Sequence, residues 1–442
     1  MKAILLLLIS IPCLSGEYIV KVPSIKELEK AQRKSFDFIY EELIKNSGIV
    51  AIEFFSSRHS SDEIFDLALM GANYIVENQA IESKKGEFSL DGFLEGSSQW
   101  NIKSSEKHSS KAEKAWKEFG LKTTDKHGRE VVAAVVDSGF YLKHEFVNFR
   151  KNHNEIPNDG IDNDGNGYVD DFDGWNSSSN SGEVTSSRHG THVAGIIGGE
   201  GKHNGEKISG VFPGVGIMPI QVGDFSIKAV IKAYGYILES KRLWYKTNGE
   251  LGANVVVTNS SFGYDKADCS SDTYKLWNDV YTLLGEQGIL NAVATSNMSH
   301  DVDILGDVPS ACESDYLISV GNIGKDGATM GAWGRVNVDL HAQGTNILSS
   351  VPGNRYDHLT GTSMATPHVA GAVAYLHSIL NEKQLLDSDF NPKGTALKLK
   401  KILIQSAVKS PVLLDLNASN GFLDLYEASL LVERDSLFDD FF

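Results

Sequence analysis

The stretch EVVAAVVDSG, residues 130–139, decides the fold. From Val131 to Val136 it is apolar without alternation, and the run stops at Asp137. A strand with one wet face alternates, whereas a strand covered on both faces does not. Helix-covered parallel sheets are where such strands occur. Three more runs share the pattern: ANVVVTNSSFG (253–263), GILNAVATSN (288–297) and YLISVGNIG (316–324). Helical stretches separate them. The expected fold class is therefore α/β, a mostly parallel central sheet with helices on both faces. Such sheets gather ligands at the carboxyl ends of their strands. Three of the runs end in Asp, Ser and Asn, residues able to do chemistry, which is the first sign of a site.

The chain around these runs has 442 residues, 41% of them hydrophobic, and a net charge of −17. That length suits one large domain and a small one. The acidic balance argues against nucleic acid as a partner and suits a protein that binds cations. Residues 1–16, MKAILLLLISIPCLSG, read as a signal peptide cleaved near Ser15 or Gly16, too short to span a bilayer. A secreted or cell-envelope protein with no transmembrane segment follows. A lipid anchor at Cys13 is the alternative, with Pro12 a poor fit before it. Residues 17–85 read as a small α+β unit. EYIVKV and NSGIVAIEFF are its strands. Residues 24–46 read as one helix, with Leu28, Ala31, Phe36 and Ile39 or Ile44 facing inward. SSDEIFDLALMG is a second helix, and ANYIVENQ closes the unit as a strand. A polar, glycine-bearing linker leads into the main domain, 86–432, and an acidic, aromatic tail occupies 433–442.

GTSMATPHVAGAVAYL (361–376) places Ser363 at a helix start, with a proline four residues on. One reading is an N-cap with proline in the first turn. The other is a nucleophile at an electropositive helix end that suits an oxyanion. SRHGTHVAGIIGG (187–199) places His189 at the start of a small-residue helix. Each residue alone has a structural reading. The chain order Asp137, His189, Ser363 is much more specific, because it is the order of the subtilisin-type triad.

DSG (137–139), HGTHVAG (189–195) and GTSMATPHVAG (361–371) resemble the three signatures of the subtilisin-like serine proteases, the subtilases, over roughly residues 97–432. The resemblance implies a serine endopeptidase acting on protein or peptide substrates. Ser363 would attack, His189 would be the base, and Asp137 would orient the imidazole. Gly190 and Gly361 would allow close backbone approach. The Ser363 N–H and the Asn297 amide would form the oxyanion hole. Ser261, Phe262 and Gly263 would line the primary pocket, beside Ser296, which stands where the family has glycine. Asp307 falls where the pocket floor is commonly glycine. A carboxylate there favours Lys or Arg; the other reading has Asp307 facing solvent. QVGDFS (221–226) corresponds to the strand that pairs with extended substrate, and it is shorter than usual. His192 and His368 read as structural. The N-terminal unit resembles the family's inhibitory propeptide through YIVKV and NYIVENQ, an intramolecular inhibitor. The family's usual length after its last strand implies self-cleavage between Lys85 and Gly86.

DNDGNGYVDDFD (162–173) has the spacing of a wrapped calcium loop: Asp162, Asp164 and Asn166 at positions one, three and five, Gly167 at six, the Tyr168 carbonyl at seven and Asp173 at twelve. The alternative is an acidic surface insertion. A second calcium site common in the family is not expected, since Phe146 stands at its usual aspartate and only Asn204 is retained. Export makes a disulfide permissible, and the resemblance puts Cys269 and Cys312 beside the same cleft, so a bridge is expected over two buried thiols. No phosphate-cradling loop or Cys/His ligand spacing points to nucleotide, haem or zinc. Two rival readings remain: a narrow processing protease, and a non-catalytic binding protein on the same scaffold.

Overall fold

Strand β5 (Val132–Asp137) forms on the opening run, and its residues divide between two cores. Ala133 and Val135 join the core on one face of the sheet, while Val132, Ala134 and Val136 join the core on the other. All are fully buried. This two-sided burial is why the run does not alternate; each valine so covered contributes about 1.5–3 kcal/mol relative to exposure. The structure, a computed structural model, describes residues 17–32, 38–54, 74–77 and 99–434. The expected signal peptide, the second helix of the N-terminal unit, the Lys85–Gly86 junction and the tail from 435 lie outside the described residues.

The other apolar runs are β8 (Val255–Ser260), β9 (Leu290–Ala294) and β10 (Leu317–Ile323). With β6 (Trp175–Asn176), β7 (Gly216–Gln221), β11 (Leu340–Gln343), β12 (Val408–Lys409) and β13 (Gly421–Phe422), they line up as β12-β13-β11-β10-β9-β8-β5-β7-β6, and the short strand Thr329–Met330, which pairs with β10 off this line, makes the sheet ten-stranded. Every pairing along this line is parallel except β12 with β13. Helices α2 (Arg188–Gly198) and α5 (Thr362–Ser378) cover one face. Helices α3 (Ile227–Lys246) and α4 (Asp272–Glu286) cover the other. The chain thus has an α/β fold with a largely parallel sheet covered by helices on both faces, preceded by a small α+β unit.

That unit is an antiparallel sheet in the order β2 (Phe38–Ile44), β3 (Ile49–Phe54), β1 (Glu17–Lys21), β4 (Tyr74–Glu77). The expected single helix over 24–46 is corrected here: α1 covers only Ile25–Gln32, and the chain re-enters as strand β2. Pairing with β3 overrides the helical spacing, and the turn between the strands holds Asn46 and Gly48 at positive φ. A Cβ on Gly48 would meet the Val22 carbonyl oxygen at 2.2 Å, so this turn needs glycine. One face of the sheet, with Tyr18, Val20, Phe38, Val50 and Ile52, closes on Leu28. Ile19, Leu43, Ile44, Ile49 and Ala51 on the other join the core under α3 and α4.

Ion pairs ring this contact: Lys228 with Glu17 and Glu41, Lys232 with Glu41, and Lys21 with Asp279. Burial alone would raise the Glu41 carboxyl, but hydrogen bonds from Lys232 and Lys228 outweigh it and hold it below its ordinary value. A depressed carboxylate stabilises the docked state above its free pKa, and that contribution is lost as pH falls through the docked value. The N-terminal unit is therefore expected to loosen on acidification below about pH 4. Glu41→Gln should weaken docking at neutral pH by about 1 kcal/mol, roughly fivefold. Size exclusion of the chain nicked in the linker, across pH, measures both.

Candidate active site

Asp137 is the last residue of β5 and 1% exposed. Its Oδ1 accepts the Ser138 N–H at 2.7 Å and the Ser138 hydroxyl at 3.0 Å. His189 lies in the first turn of α2, its Nδ1 2.9 Å from both carboxylate oxygens of Asp137. With Nδ1–H committed to the carboxylate, Nε2 carries the lone pair. Gly190 makes this approach feasible: a Cβ there would sit 2.2 Å from the Gly139 carbonyl oxygen and 3.0 Å from the Asp137 Cβ. The neighbouring His192 is fully buried and bonds the Asp357 carbonyl through Nε2 at 3.0 Å; burial pushes its pKa down to about 3. It is a neutral structural histidine.

Ser363 is the second residue of α5 and 4% exposed. Its hydroxyl donates to the Ser261 carbonyl at 3.2 Å, which directs its proton to that oxygen. Conversely, the Ser261 hydroxyl donates to the Ser363 carbonyl at 3.0 Å. That bond explains Pro367. A helical residue four beyond Ser363 would normally donate its N–H to this carbonyl, proline cannot, and Ser261 fills the vacancy. His368 bonds the Met364 carbonyl through Nδ1 and Asn101 through Nε2, so it too is structural.

Asn297 follows β9. Its Oδ1 accepts the Thr362 N–H at 2.9 Å and the Thr362 hydroxyl at 3.0 Å. Its amide nitrogen finds no acceptor among the described residues, so a donor is held beside Ser363 by a neighbour the sequence reading passed over. Thr362 was visible in the GTS motif, but only the fold showed what it holds. Gly361 leaves room here, since a Cβ would come within 3.1 Å of Asn297 Oδ1.

Ser296 is fully buried, and its hydroxyl accepts the Met298 N–H at 2.9 Å. Phe262 turns its ring into the core against Phe225 and Trp277, which leaves backbone at the Ser261-Phe262-Gly263 wall. Asp307 does not face solvent. It is 0% exposed, and its Oδ2 accepts the Ser296 N–H at 3.1 Å and the Ser310 hydroxyl. Cys269 and Cys312 are joined as a disulfide across 43 residues of chain, a closure of about 3–4 kcal/mol in the chain-entropy picture. In the segment expected to pair with substrate the chain bends at Gly223 and Asp224, whose N–H groups both donate to the Ser178 hydroxyl, and Ser226 caps α3.

In the acidic loop, Asp162 and Asp164 come together with Glu155, their oxygens within 4.8 Å of one another. Asp173 does not join them; its carboxylate pairs with Lys151. The loop ends in a short 3₁₀ turn, Asp171–Asp173, that turns Asp171 inward instead. Asp171 is 1% exposed, takes hydrogen bonds from Asn152, Asn166 and Tyr236, and is pushed up to about 6 by burial. Asn166 is spent on Asp164 and Asp171 through its amide, and on the Tyr168 N–H through its oxygen. Glu155 lies outside the loop spacing, and only the folded chain brings it back. Phe146 is a core residue, its ring edge-to-face with Tyr356.

Residues 128–426 match the model of the subtilase family of peptidases. The chain is 30% identical over 329 residues to subtilisin-like protease 1 of Plasmodium falciparum (isolate 3D7), covering 66% of this chain and 42% of that protein. It is 31% identical over 259 residues to subtilisin-like protease 6 of Trichophyton equinum, covering 56% and 52%. It thus spans about half or less of these curated relatives. Among solved structures, the epidermin leader peptide processing serine protease from Staphylococcus aureus superposes with a TM-score of 0.63 at 19% identity, over 94% of this chain and 98% of that one. Fervidolysin from Fervidobacterium pennivorans, a keratinolytic enzyme related to subtilisin, gives 0.59 at 21%, over 94% and 61%. These two likenesses concern the fold. No helix among the described residues is long and apolar enough to cross a membrane.

Proposed function

The chain belongs to the subtilase family, and on that premise we propose that it is a secreted serine endopeptidase made as a zymogen. The observation that carries this reading is the His189 Nδ1 contact of 2.9 Å to both oxygens of Asp137. It leaves Nε2 as a base at the end of the sheet where Ser363 begins its helix. The Ser363 hydroxyl, turned from the Ser261 carbonyl toward Nε2, attacks the substrate carbonyl as its proton passes to His189. The oxyanion is held by the Ser363 N–H and the Asn297 amide. The tetrahedral intermediate collapses, the peptide C–N bond breaks, and His189 returns the proton to the leaving amine. Water, deprotonated by the same imidazole, then releases the acyl group and restores the serine.

The test is hydrolysis of peptides by the full chain. Asn297→Ala should lower kcat by about 10²–10³ with little change in KM, because its amide acts on charge that develops only in the transition state. An unchanged kcat would remove Asn297 from the oxyanion hole. Absence of hydrolysis by the unsubstituted chain would remove the reading altogether.

In the same proposal, residues 17–85 are the inhibitory propeptide, cut between Lys85 and Gly86, and 86–432 are the catalytic domain. The docking of the N-terminal sheet on α3 and α4 supports this division. Calcium would be structural. The hard carboxylate oxygens of Glu155, Asp162 and Asp164 fit a hard cation. Bound there, it would neutralise like charges and pin the loop, whose Tyr168 packs edge-on against Trp175 and Tyr236. Removing calcium should lower the unfolding temperature of the Ser363→Ala chain, and Glu155→Gln should reduce that difference; a chelator with no effect would reject the site. A second reading, narrow specificity, draws on the 221–226 turn. With the Gly223 and Asp224 N–H groups held by Ser178, two backbone donors on this side are already committed.

A further inference from the structure

We propose that Asp307 makes the enzyme selective for lysine or arginine on the acyl side of the cut; this rests on the endopeptidase reading above. Asp307 is tied to both walls that flank the reactive serine. Its strand, Asp307–Val308, pairs antiparallel with Tyr264–Asp265, the direct continuation of Ser261-Phe262-Gly263. Its carboxylate accepts the N–H of Ser296, the residue before Asn297. It therefore ties the continuation of one wall to the residue that precedes Asn297 in the other.

The wall side chains are committed elsewhere. Phe262 packs on Phe225 and Trp277, the Ser296 hydroxyl serves Met298, and the Thr295 hydroxyl reaches toward the Ala332 carbonyl. Among the described residues, the acidic side chain set against both walls is Asp307, and it is 0% exposed. In such a water-poor place the attraction of a carboxylate for a cation is far stronger than at a surface. A substrate ammonium or guanidinium entering beside Asn297 gains this attraction, while an apolar side chain of the same length gains nothing against it. The chain itself carries Lys84-Lys85 immediately before Gly86, the junction proposed for self-cleavage.

The same carboxylate also braces Ser296, so charge and brace must be separated. Asp307→Asn does this: its amide oxygen can still accept the Ser296 N–H, but the charge is gone. The measurement is kcat/KM of the full-length, self-processed enzyme on peptides that differ only in the residue before the scissile bond: Lys, Arg, Gln or Leu. The unsubstituted enzyme should favour Lys and Arg by about 100-fold or more, and Asp307→Asn should bring the four within about tenfold. A Leu or Gln preference in the unsubstituted enzyme would overturn the proposal. So would an Asp307→Asn enzyme that keeps the basic preference while losing kcat equally on all four, the result for a brace alone. Should Asp307→Asn fail to fold, competitive inhibition of the unsubstituted enzyme decides. Benzamidine inhibiting much more tightly than benzamide supports the proposal, and equal inhibition overturns it. Cleavage of none of the peptides would instead count against the endopeptidase reading, a different failure from cleavage without basic preference.

Discussion

Replacing Ser363 with alanine is expected to lower peptide hydrolysis by about 10⁶-fold, the scale seen when subtilisin loses its nucleophile. The chain should also accumulate uncut, with residues 17–85 still attached. The fold should survive. The substitution deletes one hydroxyl that donates to the Ser261 carbonyl, worth about 1 kcal/mol, and alanine suits the first turn of α5. The reciprocal bond, from the Ser261 hydroxyl to the Ser363 carbonyl, does not need the serine side chain. Intact mass and a chromogenic peptide assay check both parts. A Ser363→Ala chain that processes its own N-terminal unit at the unsubstituted rate would revive the non-catalytic reading and attribute the cut to another protease.

The second large effect is expected at Asp137. Asp137→Asn should cost about 10⁴ in kcat, and the hydrogen bonds of this strand end give the reason. Oδ1 holds two donors from Ser138, its N–H and its hydroxyl, so an asparagine would place its oxygen there. Its NH₂ would then face His189 Nδ1, where Oδ2 now lies at 2.9 Å. A donor in that position makes Nδ1 the acceptor and moves the imidazole proton to Nε2, the atom that must take the serine proton. The loss should fall on kcat rather than KM, since residue 137 is 1% exposed and buried behind His189. A loss below tenfold would mean that His189 does not depend on Asp137 for its tautomer.

Much of this was legible in the chain. The α/β class came from apolar runs that fail to alternate, and β5 shows why: its neighbouring residues enter opposite cores, both dry. Asp137, His189 and Ser363 were legible because each lies in a short motif where local geometry, a strand end or a helix start, dictates small neighbours. The strand β2 was not. FIYEELI has apolar spacing that serves a helix or a strand, and only the partner strand β3 and the surface of α3 decide between them. The acidic loop was half legible. Asp162 and Asp164 follow a local repeat, but Asp173 goes to Lys151 and Glu155 arrives from before the loop.

By itself, the sequence determined the parallel sheet and the family, because strand burial and short motifs impose patterns over a few neighbouring positions. Only the tertiary structure decided that Thr362 orients Asn297, that Ser261 replaces the hydrogen bond Pro367 cannot make, and that Asp307 lies buried against Ser296. The physical reason is the separation along the chain. Asn297 and Thr362 stand 65 residues apart, and Ser261 and Ser363 stand 102 apart. Hydrogen bonds between groups so distant leave no periodic trace, and they exist only once the sheet has brought its strand ends to one edge.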